Sequence, residues 1–308
     1  MSEIVISEFM SEAAIATALT GFDVAYDPSL VDRPDELAAM LGNCRGLIVR
    51  NRTQVNAALL DLAPHLKVVG RLGVGLDNID LEACTARKIA VFPATGANDL
   101  SVAEYVITAA LVLLRGAWFA SADVTAGSWP RMALIGSEAE GRRLGLVGFG
   151  AISRLTAKKA RALGLGVCAF DPYVAADDPA WAGVERVNFD DLLATSDIIS
   201  LHVPLTADTR GVIDAKAIAR MKKGAILINA ARGGVVDEAA VAEALKAGRL
   251  GGAALDVFAE EPVTAPGGRL FIGVPNLILT PHIAGVTKQS NERVSLVTAQ
   301  AVALALRS

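Results

Sequence analysis

Gly148 and Gly150 lie in the segment Arg143–Ser153, RLGLVGFGAIS, spaced as in the pattern G-x-G-x-x-G with a serine, Ser153, at the third glycine position. Glycines at a strand-to-helix turn let the backbone close tightly and approach a pyrophosphate, whose charge suits a helix N-terminus. The pattern alone is weak, since an ordinary glycine-containing strand-to-helix turn shares it. Its surroundings strengthen the reading. The apolar run LGLV precedes it, the Ala-rich stretch Ala151–Leu163 follows, and Asp171 ends the next apolar run, VCAFD. That spacing is close to the ~20 residues by which dinucleotide-binding units separate the glycines from a ribose-reading carboxylate. A small serine at the third position, where the helix packs on its strand, costs only a slightly wider contact. A carboxylate at Asp171 accepts hydrogen bonds from ribose hydroxyls and repels a 2′-phosphate, and Pro172 and Tyr173 supply no cation to neutralise one, so NAD is expected rather than NADP. The alternative is an exposed strand-end aspartate that starts an Asp-Pro turn.

The elements around this turn form an α/β chain. Short β-branched runs (EIVIS, Gly46–Val49, Lys67–Gly70, Ile89–Phe92) alternate with Ala/Leu/Glu-rich stretches of helical length. After Arg143 a longer series begins: LGLVGFG, GVCAF, SDIISLHVP, AILINAA, GGAALDVF and NLILTPH. Two such series imply two parallel-sheet domains. The turn-rich FPATGANDLS marks one seam, and the segment from Thr287 onward is too small to be a domain of its own. Returning it to the first series explains why the glycine fingerprint begins so late: residues 99–285 form a nucleotide-binding domain inserted in a split domain of residues 1–98 plus 286–308.

Composition excludes several classes. The chain has 308 residues, 53% hydrophobic and 20% charged, enough for substantial cores and without a disorder signature. A net charge of -4 leaves no electrostatic footprint for nucleic acid. Cys44, Cys84 and Cys168 are far apart with no C-x-x-C pair, so neither a disulfide framework nor a metal site is expected, and a reducing cytoplasm fits. The first residues, MSEIVISEFM, lack a basic leader, and the apolar run Tyr105–Leu114 is too short to span a bilayer, so no membrane association is expected.

Four further segments, in order along essentially the whole chain, carry a family resemblance: GRLGVGLDNID (Gly70–Asp80), NAARGGVVDE (Asn229–Glu238), LDVFAEEP (Leu255–Pro262) and TPHIAG (Thr280–Gly285). They resemble motifs of the D-isomer-specific 2-hydroxyacid dehydrogenases. The resemblance implies a Rossmann NAD-binding domain inserted in a split flavodoxin-like substrate (catalytic) domain, and homodimers built largely on the nucleotide domain. Oxidising a 2-hydroxy acid needs a base for the hydroxyl proton as hydride leaves, and an imidazole serves in both directions near neutral pH. His282 matches the family's acid/base position, and Glu261 the carboxylate that pairs with it. Related formate dehydrogenases carry glutamine there, so glutamate favours a hydroxyacid substrate. Arg232 matches the catalytic arginine, whose planar fork holds the substrate carboxylate and polarises the 2-oxo group. A solvated loop arginine is its alternative, although Gly233 and Gly234 beside it favour close approach to a ligand.

By the same resemblance Ala151 and Ile152 lie over the pyrophosphate, Val203 and Pro204 near the adenosine, and Ala230, Ala231 and Asp256 near the nicotinamide and its ribose, with Gly285 also at the cofactor. Asp256 is alternatively a strand-end cap. His202 is expected to be structural, and His65 has no functional case. The amides of Gly73, Val74 and Gly75 resemble the loop that receives the substrate carboxylate. Arg50 and Arg71 follow apolar strands at the ends where α/β sheets place ligands. In phosphoglycerate dehydrogenases matching arginines hold the 3-phosphate, so a small-molecule substrate with a second anion is expected, D-3-phosphoglycerate or (S)-3-sulfolactate; surface arginines are the alternative. The chain has no room for the C-terminal regulatory domain of many phosphoglycerate dehydrogenases, so serine feedback is not expected and sulfolactate is slightly favoured. The apolar helix Val102–Leu114, with Trp118, Trp129 and PRMALIG after it, suggests a homodimer contact, or else a helix buried within its own domain. A second function remains open, an NAD(H)-sensing protein similar to transcriptional co-repressors of this fold, but the absence of partner-binding tails favours the enzyme.

Overall fold

The structure, a computed structural model, describes residues 2–307. It divides into two compact units, one comprising residues up to Asn98 together with those from Val286 onward, the other Asp99–Gly285. Among the described residues no helix is long and apolar enough to cross a membrane.

In the first unit the strands β1 (Ile4–Ile6), β2 (Val24–Tyr26), β3 (Gly46–Val49), β4 (Val68–Arg71) and β5 (Ala90–Pro93) form a parallel sheet in the order β2-β1-β3-β4-β5. Side chains alternate between its faces. Ile4, Ile6, Ile48 and Val68 pack toward Val302 and Leu306 of the helix Lys288–Arg307, and Val5, Leu47, Val49 and Val69 pack toward Leu30, Leu37, Leu41 and Leu60. Each fully buried aliphatic side chain contributes roughly 1.5–3 kcal/mol. The helix lies directly on the sheet: a Cβ at Gly70 would stand 2.6 Å from Val302 Cγ2 and 2.7 Å from Thr298 Cγ2, so the first glycine of GRLGVG is a packing residue. Strand β4 runs one residue later than the pattern Lys67–Gly70 suggests, because its ladder pairs Arg71 with Val49. That register places Arg71 within the sheet's carboxyl edge and Arg50 immediately beyond the end of β3. Strand β2, whose residues are only half-buried, has no clear signature in the sequence.

The second unit has seven parallel strands: β6 (Arg143–Val147), β7 (Gly166–Phe170), β8 (Glu185–Arg186), β9 (Ile198–Leu201), β10 (Ala225–Asn229), β11 (Leu250–Leu255) and β12 (Leu277–Leu279). Their order is β12-β11-β10-β9-β6-β7-β8. The order reverses between β6 and β9, and in doubly wound sheets ligands bind beyond the carboxyl ends at such a point. One face is covered by the helices Asp99–Arg115 and Ala151–Ala162, the other by Leu192, Ile218, Val241 and Leu245 of three further helices. The apolar helix foreseen at Val102–Leu114 therefore spends its buried face, including Val102, Val106, Ala110 and Leu113, inside its own unit. The surplus apolar surface lies in the segment after it, where Trp118, Trp129, Met132 and Ile135 are 66%, 75%, 81% and 72% exposed.

Candidate active site

Strand β6 ends at Val147, and Gly148 turns the chain with φ +89°, a backbone that side chains disfavour. A Cβ there would also stand 2.5 Å from the His202 carbonyl oxygen, so only glycine fits. Gly150 caps the helix Ala151–Ala162 without a side-chain hydrogen bond, and a Cβ on it would meet nothing within 4 Å. The first helical amides thus face an open cradle, with Ala151 exposed and Ile152 half-buried at its rim. Ser153 is fully buried where the third glycine would stand, on the packing side. Asp171 follows β7, and its carboxylate accepts the amides of Phe149 (2.7 Å), Tyr173 (2.8 Å) and Val174 (3.3 Å). It therefore clamps the glycine turn to the end of β7, which is the strand-end role. An open amide cradle and a fixed carboxylate, with no cation to meet a 2′-phosphate at Pro172 or Tyr173, fit NAD.

Two side chains at this turn escaped the sequence reading. Arg154 donates from Nε to the Phe149 carbonyl (2.9 Å) and lays its guanidinium 5.5 Å over the Phe149 ring, which stacks at 4.5 Å on Trp181. Neither Arg154 nor Trp181 belongs to a motif. Val203 and Pro204 follow β9, where the His202 amide joins Val147 at 2.7 Å. The His202 ring shares a hydrogen bond with Ser200 Oγ at 3.0 Å, and burial pushes its pKa down to about 4. It is a neutral, structural ring.

The next three strand ends carry the remaining candidates of this unit. After β10, Asn229 braces the turn: its side chain accepts the Ala231 amide (3.1 Å) and donates to the Arg232 carbonyl (3.0 Å). Ala230 and Ala231 are half-buried there, and Arg232 donates from Nη1 to the Ala231 carbonyl at 2.7 Å. A Cβ at Gly233 would overlap the Phe258 carbonyl, so this glycine serves the close packing of two strand-end loops rather than ligand approach. After β11, Asp256 is buried; its carboxylate accepts the Thr280 hydroxyl (2.6 Å) and the amides of Ile283 and Ala284 (2.8 Å each). Asp256 is the cap of the TPHIAG turn.

His282, after β12, has φ +56°, an uncommon conformation for a residue with a Cβ. Its Nδ1 lies 2.7 Å from Glu261 Oε2, while Glu261 Oε1 accepts the Phe258 amide at 2.9 Å. This pairing engages Nδ1 of the ring and leaves Nε2 as the nitrogen that can exchange a proton with a ligand. Glu238, the last residue of NAARGGVVDE, accepts the Ala259 amide at 2.6 Å; burial and the nearby charges of Asp237 and Glu261 push its carboxyl up. Tyr105 hydrogen-bonds Thr280 at 2.6 Å, extending the support of this turn into the helix Asp99–Arg115.

In the first unit, Arg71 donates from Nη1 to the Leu72 carbonyl at 3.1 Å. Its guanidinium lies where a Cβ of Gly73 would be, and Gly73 has φ +151°. Val74 and Gly75 continue this loop, half-buried. Arg50 donates from Nη2 to Asn291 Oδ1 (2.7 Å) and sits 5.9 Å over the Phe9 ring. Burial pushes its pKa down and the charge of Glu8 offsets this in part.

A doubly wound nucleotide sheet with a glycine cradle and a paired histidine and glutamate at its strand ends defines a nucleotide-dependent oxidoreductase. Residues 107–284 match the model of the D-isomer specific 2-hydroxyacid dehydrogenase, NAD binding domain. The chain is 54% identical, over 99% of its own length and 99% of the other, to (S)-sulfolactate dehydrogenase of Chromohalobacter salexigens. It is 40% identical over 98% of its length to D-3-phosphoglycerate dehydrogenase of Mycobacterium leprae, of which it spans 56%. Among solved structures, D-lactate dehydrogenase from Aquifex aeolicus, complexed with NAD and lactic acid, is similar with a TM-score of 0.85 and 28% identity, covering 99% of this chain and 95% of that one. The chain belongs to the D-isomer-specific 2-hydroxyacid dehydrogenases. It is an NAD-dependent dehydrogenase with two parallel-sheet α/β domains.

Proposed function

We propose that this enzyme oxidises a three-carbon, D-configured 2-hydroxy acid bearing a second anion on C3, with (S)-3-sulfolactate favoured over D-3-phosphoglycerate. The 2.7 Å pairing of His282 with Glu261 carries the catalytic part of the reading. In it, His282 Nε2 takes the C2 hydroxyl proton, Glu261 orients the ring and stabilises the imidazolium, and Arg232 holds the C1 carboxylate and polarises the forming 2-oxo group. NAD held at this unit would supply the acceptor for the C2 hydride. The cradle for it is Gly148, Gly150, Ala151 and Ile152 at the pyrophosphate, Asp171 at the ribose, Val203 and Pro204 at the adenosine, and Ala230, Ala231, Asp256 and Gly285 toward the nicotinamide. Asp256 acts there chiefly through the turn that it caps.

Residues 1–98 plus 286–308 serve as the substrate domain and 99–285 as the NAD-binding domain. The amides of Gly73, Val74 and Gly75 receive the carboxylate, and Arg50 and Arg71 attract the second anion. Both arginines belong to the carboxyl edge of one parallel sheet, which supports this role, as does the similarity to (S)-sulfolactate dehydrogenase. The exposed Trp118, Trp129, Met132 and Ile135 support a homodimer, and the enzyme works in the cytoplasm. NADH formation with the two doubly anionic acids and with D-lactate tests the substrate reading. Light scattering tests the dimer, which an active monomer at micromolar concentration would refute.

A further inference from the structure

We propose that Glu8 is a positioning residue that fixes the loop Arg50–Thr53 and thereby sets the preference for a doubly anionic substrate. Glu8 follows β1 and is 4% exposed. Its Oε1 accepts the backbone amides of Arg50 (2.8 Å) and Thr53 (3.0 Å), and its Oε2 those of Arg52 (3.1 Å) and Asn51 (3.3 Å). Four successive amides turned toward one point form a nest of the kind that holds anions, and here an internal carboxylate fills it. Burial pushes the Glu8 carboxyl up, but the amides of Thr53, Arg50 and Arg52 outweigh this and hold it below the ordinary carboxylate range. A buried charge is tolerated only with such compensation.

The consequence falls on Arg50. Its backbone is held by Glu8, its guanidinium lies over the ring of Phe9, the neighbour of Glu8, and its far end reaches Asn291. Arg52, on the same loop, is drawn aside by Asp32 on the surface. The loop therefore presents one arginine, pre-oriented at backbone and tip. The loop's other side is tied down by Thr53, whose carbonyl accepts from Asn78 (2.7 Å) and whose hydroxyl meets Ser7 (2.9 Å). No other side chain is hydrogen-bonded to the amides of Arg50, Asn51 and Arg52 among the described residues, so removing the carboxylate releases the segment that aims Arg50.

This inference rests on the reading of Arg50 as an anion-binding residue, and a double-mutant cycle separates the two. With the full-length enzyme, KM for (S)-3-sulfolactate and for D-lactate is measured in wild type, Glu8→Ala, Arg50→Ala and the double variant. Glu8→Ala is expected to raise KM for sulfolactate about tenfold, equivalent to ~1.4 kcal/mol, and to change kcat/KM for D-lactate much less. In the double variant the two effects should not add, because Glu8 acts through Arg50. Formate, which fits the emptied nest, should restore sulfolactate KM in Glu8→Ala and have no effect on wild type. Additive effects, an equal loss for both substrates, or no rescue by formate would overturn the role of Glu8. If Arg50→Ala itself leaves sulfolactate KM unchanged, the reading of Arg50 falls instead, and this proposal with it. Should Glu8→Ala not fold, Glu8→Gln serves in its place, since its amide group presents donors to two of the four amides; the same substrate split then decides the case.

Discussion

The carbonyl of Asp256 accepts the amide of His282 at 2.8 Å, while the Asp256 carboxylate accepts the next two amides, Ile283 and Ala284. One buried residue thus holds three consecutive amides and keeps His282 in its left-handed conformation. Replacing Asp256 by Ala strands the buried Ala284 amide, worth about 1–3 kcal/mol, and removes the acceptor of the more exposed Ile283 amide and of the Thr280 hydroxyl. Urea denaturation should show a loss in that range or above, and kcat should fall because the imidazole is no longer aimed. Wild-type stability and turnover in Asp256→Ala would show the cap to be dispensable.

His282→Ala should lower kcat by a factor on the order of 10²–10⁴, the usual contribution of a general acid or base. NADH binding, followed by fluorescence, should persist because the ring is not part of the glycine cradle. Glu261→Gln should also lower kcat, since an amide nitrogen turned toward Nδ1 no longer stabilises the imidazolium. A His282→Ala enzyme with near-normal turnover would remove this histidine from the mechanism.

Asp171 clamps the glycine turn through the Phe149 amide, so its loss is not a simple change of charge. Asp171→Ala is expected to narrow the preference for NAD over NADP, by ending repulsion of the 2′-phosphate, and also to weaken NAD itself. The check is kcat/KM for both cofactors. An unchanged ratio would mean that Asp171 does not read the ribose.

His202 ties stability to pH. Its pKa is lowered from 6.5 to about 4 by burial, so the unfolded chain takes up a proton that the folded ring refuses. Stability from this source is complete above pH 6.5 and is lost as pH falls from there toward 4, by up to about 3 kcal/mol. In His202→Gln the fall in unfolding free energy over that window should be shallower. An identical pH profile in the two proteins would place the acid sensitivity elsewhere.

Much of this was legible in the sequence because it depends on local chemistry. Gly148 needs a positive φ, buried strands such as AILIN read as continuous apolar runs, and strand-end motifs cluster the polar side chains. What was hidden depends on tertiary partners. Glu8 is one carboxylate after an apolar strand, and only the fold brings four amides around it. Gly233 looks like a ligand-facing glycine until the Phe258 carbonyl is seen against it. The αL backbone of His282 is imposed by Asp256, distant in sequence. Strand β8, two exposed residues at the sheet's edge, has no hydrophobic pattern to read.

Recognition of a second anion on the substrate would set this enzyme apart from one acting on D-lactate or D-glycerate. The direct measurement is the initial rate of NADH formation by the wild-type enzyme with (S)-3-sulfolactate, D-3-phosphoglycerate, D-lactate and D-glycerate, repeated with Arg50→Ala and Arg71→Ala. The expected result is a kcat/KM for at least one doubly anionic acid well above those for D-lactate and D-glycerate. Each arginine variant should lose about 1.5–3 kcal/mol of that advantage, the worth of a charge-assisted hydrogen bond. A wild-type enzyme that prefers D-lactate or D-glycerate, or variants that lose all substrates equally, would contradict it.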